Sequence, residues 1–283
     1  MNNLSAEFYD KFANKYDVMI SEKRYDKHSL FFNSIFRKHN VKSILDCSCG
    51  TGKHVIKFTQ LGFEAKGSDI SIEMINKARK NAESLGLKVD FFQADFKRLP
   101  DVFDRKFDCV VCVGNSLNHE LEEKGILSAL KSMFNVLSNE GIVIIQIRNL
   151  QKWVKERRRV FPVHYHKEPN GDRKIFLYVL DFYRTRVKFN VISILEFNEK
   201  PTFEVDSVDY RIVSARRLRE LMTETGYNRL KIYGDFKFAM FSDEHSRDII
   251  AVGTKYRAPR IAKNKGRYLP FYPHFYRFLI HKS

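Results

Sequence analysis

Ile44-Leu45-Asp46-Cys47-Ser48-Cys49-Gly50-Thr51-Gly52 is an apolar strand that breaks into a tight glycine loop, and Gly67-Ser68-Asp69 closes the next short strand. Glycine lets backbone approach a ligand where a Cβ would collide. A carboxylate at the tip of the neighbouring strand, Asp69, can accept from both hydroxyls of a ribose. The pair predicts a nucleoside crevice at the carboxyl ends of parallel strands. Spacing excludes two common nucleotide loops. G-x-G-x-x-G needs glycine where Val55 stands, and G-x-x-x-x-G-K-[ST] needs glycine at Cys47 and a hydroxyl residue at His54. Neither a pyrophosphate nor a triphosphate has its cradle here.

Outward from this loop the chain alternates strands and helices. Strands are predicted at 43–47, 64–68, 88–93, 107–113 and 141–147, with helices at 53–60, 72–84 after a Ser71 cap, and 125–137. Strands separated by single helices wind right-handed and run parallel. The fold class is therefore α/β: a doubly wound, mostly parallel seven-stranded sheet. After Asn149 the pattern changes to β-rich stretches at 174–183, 186–197 and 203–213 without helices. Val187, Phe189 and Val191 alternate with Arg186, Lys188 and Asn190, as in a half-exposed antiparallel strand. A helix capped by Ser214 and strands at 230–236 and 248–254 then complete the main sheet. The expected organisation is an N-terminal helical cover (1–40), a core (41–149 and 214–256), an antiparallel β lid inserted after the fifth strand (150–213), and a C-terminal arm (257–283).

Composition fits a soluble enzyme. Of 283 residues, 43% are hydrophobic, enough for a sizeable core, and 25 Phe with 13 Tyr suggest aromatic-lined pockets. The apolar run Ile142 to Ile145 is cut by Gln146 and Arg148, so no membrane span is expected, and the polar start lacks a signal-peptide core. A cytoplasmic location is the expectation. Cys109 and Cys112 fall on opposite faces of one strand and cannot chelate together, so no metal is expected and the four cysteines read as free thiols.

The loop Asp46 to Gly52 resembles the D-x-[AG]-C-G-T-G loop of class I S-adenosylmethionine-dependent methyltransferases, whose ligand carries no phosphate. Gly114-Asn115-Ser116-Leu117-Asn118-His119 resembles the G-N-S-x-x-H block, and Ile147-Arg148-Asn149 the x-R-N block, of glycine and sarcosine N-methyltransferases. The resemblance spans residues 5–255 in organisation, with identity concentrated in these blocks. It implies S-adenosyl-L-methionine as cofactor and a small-molecule methyl acceptor, most simply the amine of an amino acid or a related carboxylate-bearing compound. The implied cofactor residues are Tyr16, which closes over the ligand, Arg24 for the methionyl carboxylate, Asp46, Cys49, Gly50 and Gly52 of the loop, Asp69 with Ile70, Asp95 near the adenine amine, Phe96, Val113 and His119. The implied acceptor-side residues are Asn115, Arg148 as a planar fork for a carboxylate, and His119; Tyr165 is a further pocket tyrosine.

Two features depart from that family. Leu150 follows Asn149 where glycine methyltransferases have an aromatic, and 151–174 is strongly basic, with Arg157, Arg158 and Arg159 in a row. An acceptor larger or more acidic than glycine follows. Net charge is +16, and 257–283 carries seven Lys and Arg, no acid, and six Tyr or Phe. Such an arm suits packing on the domain or on another subunit of a homo-oligomer, or, as a second reading, tRNA or protein methylation. Small-molecule O-methylation is a further alternative. No N-P-P-Y-like tetrapeptide follows the fourth strand, which argues against amide or DNA-base methylation.

Overall fold

The computed structural model describes residues 3–19, 22–161, 163–167, 171–197 and 200–256; the arm expected at 257–283 lies outside the described residues. The chain opens with α1 (Asn3–Met19) and α2 (Glu22–Lys38), followed by β1 (Ser43–Asp46), α3 (Lys53–Gln60), β2 (Glu64–Asp69), α4 (Ile72–Glu83) and β3 (Phe91–Gln93). Then come β4 (Phe107–Cys112), α5 (Glu123–Val136), β5 (Leu137–Arg148), α6 (Leu150–Lys155), β6 (His164–Lys167), β7 (Arg173–Phe182), β8 (Arg186–Phe197) and β9 (Lys200–Arg211). α7 (Ala215–Thr225), β10 (Tyr227–Tyr233) and β11 (Asp248–Lys255) close the main sheet.

That sheet has seven strands in the order β10-β11-β5-β4-β1-β2-β3. β1 to β5 pair in parallel, and β11 pairs antiparallel with both β5 and β10. Its two faces carry separate cores. One packs Leu45, Val110, Val143 and Ile145 under α5 and α7; the other packs Ile44, Cys109, Val111 and Ile144 under α2, α3 and α4. Cys109 and Cys112 do fall on opposite faces, one in each core. All four cysteines are free and buried, and burial pushes the thiols of Cys47, Cys49 and Cys109 up.

The antiparallel sheet β6-β7-β8-β9 lies between β5 and α7 in sequence. One face points inward: Phe176, Leu180, Val187, Val191 and Val208 are buried. α1 packs Phe8 and Phe12 against Phe176, Val191 and Val208, so this helix sits between the second sheet and the main domain. Two acids pin it from below. Asp17 accepts from Thr51 Oγ1 at 2.6 Å and from Asn81 Nδ2 at 3.1 Å, while Asp10 accepts from the Ser71 hydroxyl that caps α4.

Several element boundaries differ from the sequence expectation. β3 is only three residues long, because β2 offers partners solely at Gly67, Ser68 and Asp69. α5 ends at Val136 rather than Leu137, since Leu137 already pairs with Phe107 as the first residue of β5. β10 starts at Tyr227, whose ring is buried and whose hydroxyl donates to Leu130 O at 3.1 Å. α6 and β6 were not anticipated. Asn149 caps α6 by accepting from the Lys152 N–H, which places Leu150 and Trp153 together in a small core with Leu180 and Val187.

Candidate functional site

Gly50 and Gly52 both have positive φ, +51° and +79°, but serve different ends. At Gly52 a Cβ would meet Ala78 and Phe91 at 2.9 Å, so this glycine serves helix packing rather than ligand approach. A Cβ at Gly50 would come within 4 Å of one atom alone, the edge of the Tyr16 ring at 3.9 Å, and Gly50 lines an open cavity. The loop is held by Asp69, whose Oδ2 accepts from Gly50 N–H at 2.9 Å and Oδ1 from Ser71 N–H at 3.0 Å. Burial raises the Asp69 pKa, against backbone N–H groups of Ser71, Gly50 and Ile70 that favour the carboxylate.

The cavity measures about 580 Å³ and lies at the carboxyl ends of β1, β2, β4 and β5, roofed by α1 and the β6–β9 sheet. That volume suits a small molecule together with its co-substrate. One half is built from strand-end loops: Cys47 to Gly50, Asp69, Ile70, Ala94, Phe96 and Val113 to Ser116. The other half takes Arg148, Lys152, Trp153, Arg158, Phe161, Tyr178, Phe189 and Tyr210 from the far end of β5, α6 and the second sheet.

Residues 44–141 match the family model described as a methyltransferase domain. The chain is 27% identical over 239 residues to the glycine/sarcosine N-methyltransferase of Aphanothece halophytica, covering 84% of this chain and 86% of that protein. It is 28% identical over 255 residues to the enzyme of the same name from Halorhodospira halochloris, covering 90% and 91% respectively. Among solved structures, an S-adenosylmethionine-dependent methyltransferase from Clostridium acetobutylicum superposes with a TM-score of 0.74 at 20% identity, covering 88% of this chain and 99% of that one. The chain is a class I S-adenosylmethionine-dependent methyltransferase.

The loop-side residues of this methyltransferase fit its cofactor. Gly50 and Asp69 both stand at the cavity wall. Asp46, directly behind the loop, is buried with Oδ1 accepting from Ser48 N–H at 3.2 Å, while Oδ2 has no partner among the described residues. Burial, opposed by the Ser48 N–H and reinforced by the charge of Asp69, pushes the Asp46 pKa up from 3.8 to about 7. Asp46, a cofactor candidate from the sequence, does not line the cavity; it supports the loop from behind.

The sequence-derived candidates separate into three groups. Tyr16, Cys49, Gly50, Asp69, Ile70, Phe96, Val113, Asn115 and Arg148 line the cavity. Asp95 does not; it closes a turn instead, accepting from Lys97 N–H at 2.9 Å with its carboxylate 3.6 Å from the Lys97 ammonium. His119 does not line it either. It is buried behind Tyr9, with Nε2 2.9 Å from the Tyr9 hydroxyl and Nδ1 without a partner among the described residues. Burial pushes its pKa down to about 3, so it is a neutral support and a poor base near pH 7. The side chain of Arg24 lies outside the described residues. Tyr165 is exposed on β6, away from the cavity.

Arg148 and Asn115 are more committed than the sequence implied. Arg148 Nη1 donates to Asp248 Oδ1 at 2.7 Å, and Gln146 Nε2 shares that acceptor at 2.8 Å. The partner is thus a main-sheet residue of β11, not a carboxylate of the insertion. Asn115 Oδ1 accepts from Arg148 N–H at 2.9 Å and Asn118 Nδ2 at 3.0 Å, and its amide also bonds the hydroxyl of the half-buried Tyr210. Tyr210 meets Tyr9 in turn, so a polar network runs from His119 through Tyr9 and Tyr210 to Asn115 and Arg148.

Tyr210, Trp153, Tyr178, Phe189 and the pair His28 and His54 also line the cavity and escaped sequence reasoning. Period-two alternation of Val208 with Tyr210 was a usable signal for β9. The imidazoles of His28 and His54 lie 3.2 Å apart across α2 and α3, a meeting that no local pattern announces. The arginine run also divides by geometry. Arg157 turns out to solvent at φ +50°, Arg158 lines the cavity, and Arg159 donates to Leu180 O and pairs with Asp181.

Proposed function

We propose that this methyltransferase acts on the amine of a small carboxylate-bearing molecule. The observation that carries the reading is the charge layout of the cavity. Among its described lining residues Asp69 is the sole carboxylate, at the tip of β2, whereas Arg148, Lys152, Arg158 and Arg247 come from the β5, α6 and β11 end. The relatives named for glycine and sarcosine support an amino acid type of acceptor.

When bound, S-adenosylmethionine supplies an electrophilic methyl group for in-line displacement by the acceptor. Asp69 would hold it through ribose hydroxyls, and Gly50, Ile70, Phe96, Val113 and Tyr16 would enclose it. On the acceptor side, Asp248 holds Arg148 at the cavity wall, leaving its other guanidinium nitrogens to take a carboxylate oxygen. Asn115 aligns the Tyr210 hydroxyl toward the same region. The cluster of cations disfavours an ammonium and so supports the neutral, nucleophilic amine. α1 and the lid cover the cavity, and alignment of the two substrates there lowers the barrier without a dedicated base. A phenol acceptor needs a base, and His119, buried and held near a pKa of 3, offers none. RNA or protein methylation rests on residues 257–283, outside the described part of the chain.

Turnover of methyl-labelled cofactor against amino acids, simple amines, phenols and tRNA tests the reading. Label should enter carboxylate-bearing amines; transfer solely to phenols or to tRNA would overturn it.

A further inference from the structure

We propose that the acceptor carries, beyond its amine, a flat apolar body ending in an anionic group, and that α6, the turn after it and the lid sheet form the subsite for that far end. This deepens the amine reading above and rests on it.

The subsite is built rather than improvised. Trp153 is buried, its ring 4.7 Å from Phe161, and the Arg158 guanidinium lies 4.8 Å above the same Phe161 ring. Arg158 N–H donates to Trp153 O at 3.0 Å, and Phe161 N–H to Tyr178 O at 3.2 Å, so the turn is tied both to α6 and to β7. On β7, β8 and β9 a second run of rings, Tyr178, Phe189 and Tyr210, is spaced at 5.0 and 5.8 Å. It leads from the polar network around Arg148 toward the turn. Both ring groups line the one cavity.

Glycine fills none of this: it reaches Arg148 and leaves the rings facing water. Rings in two groups suit a planar body, by offset or edge contact. A guanidinium stacked on a ring keeps its N–H groups in plane, directed at an anion beyond the ring edge. Lys152 lines the same end of the cavity and adds a second cation there. Carboxylate and phosphate share the recognising chemistry, so the anion is named by class and the probes separate the two.

The test uses the full chain with S-adenosylmethionine and five amino acids: glycine, glutamate, phenylalanine, 4-carboxyphenylalanine and phosphotyrosine. Calorimetry of the same compounds in S-adenosylhomocysteine reads the subsite without turnover. One ring-plus-anion compound should exceed phenylalanine in kcat/KM about 10-fold and glycine about 100-fold, carboxylate or phosphate identifying the anion. Arg158→Gln should cut the preference over phenylalanine about 10-fold, and Phe161→Ala should cut the preference over glutamate. If glycine is the best acceptor and neither anionic probe binds better than phenylalanine, the subsite proposal is overturned and the amine reading survives. If no amine is methylated but an anionic probe binds and Arg158→Gln weakens it about 10-fold, the subsite stands and the amine reading falls. A preference that survives Arg158→Gln overturns the assignment to this turn.

Discussion

Asp46 and His119 are buried ionisable groups displaced in opposite senses, one up to about 7 and the other down to about 3. Between pH 3.8 and 7 the folded chain holds a proton on Asp46 that the unfolded chain releases, so this group's contribution weakens as pH rises through that window. Between pH 6.5 and 3 the unfolded chain protonates His119 while the fold does not, so that contribution weakens as pH falls. Over the shared range the two slopes offset each other. Urea denaturation from pH 4 to 7.5 should therefore show Asp46→Asn losing stability on acidification more steeply than the parent, and His119→Gln less steeply. Parallel curves for all three proteins would remove the burial argument. Asp69 belongs to the same scale. Asp69→Ala deletes the expected ribose acceptor and orphans the Gly50 and Ser71 N–H groups, and should weaken cofactor binding by roughly 1.5–3 kcal/mol. Calorimetry decides it, with circular dichroism confirming the fold; unchanged affinity would place the ribose elsewhere.

Among the elements, α1 does most to turn an open crevice into a closed site. It supplies Phe8, Tyr9, Phe12 and Tyr16 to the cavity wall, and is held by Asp10 and Asp17 below and by the lid's Phe176, Val191 and Val208 above. Phe12 is 3% exposed, so Phe12→Ala removes the contact that joins helix to lid. Large-to-small core changes of this kind cost about 3–5 kcal/mol when the surroundings stay put. Here the helix can detach while the main sheet persists. Expected outcomes are faster proteolysis within residues 3–19, cofactor affinity lowered about 10-fold, and an unchanged far-UV spectrum from the sheet. Retained affinity with a protected α1 would show that the helix is held by its acids alone. The boundary errors belong to this scale too. α5 passes into β5 without a loop, and the strand begins where Leu137 finds Phe107, a pairing set by the neighbouring strand.

For the whole molecule, the cavity joins the main sheet, α1 and the lid sheet, so a ligand that fills it couples all three. A ligand that binds the folded form alone stabilises by about 2.7 kcal/mol at 100-fold excess over Kd, which for a chain of this size raises Tm by roughly 5 °C. S-adenosylhomocysteine should produce that shift in one cooperative transition. Two separate transitions, with the later one alone responding, would mean that the lid unfolds independently of the cofactor site. No helix among the described residues is long and apolar enough to cross a membrane.

The sequence by itself determined the α/β class, the succession of core strands and helices along the chain, the glycine loop with Asp69, and the antiparallel insertion. These are local: periodicity, turn chemistry and a loop motif are written within some ten residues of one another. It also singled out Arg148 and His119, but not their neighbours. Asp248 is 100 residues from Arg148, Tyr9 is 110 from His119, and neither pairing leaves a trace at sequence spacing. Only the tertiary structure decided that Arg148 is already partnered, that His119 is buried as a neutral support, that Asp95 closes a turn, and that Arg158 alone of three adjacent arginines reaches the cavity. The physical reason is that burial and partner choice arise from packing between distant elements, and these set whether a charged side chain binds a ligand, holds a neighbour or faces water.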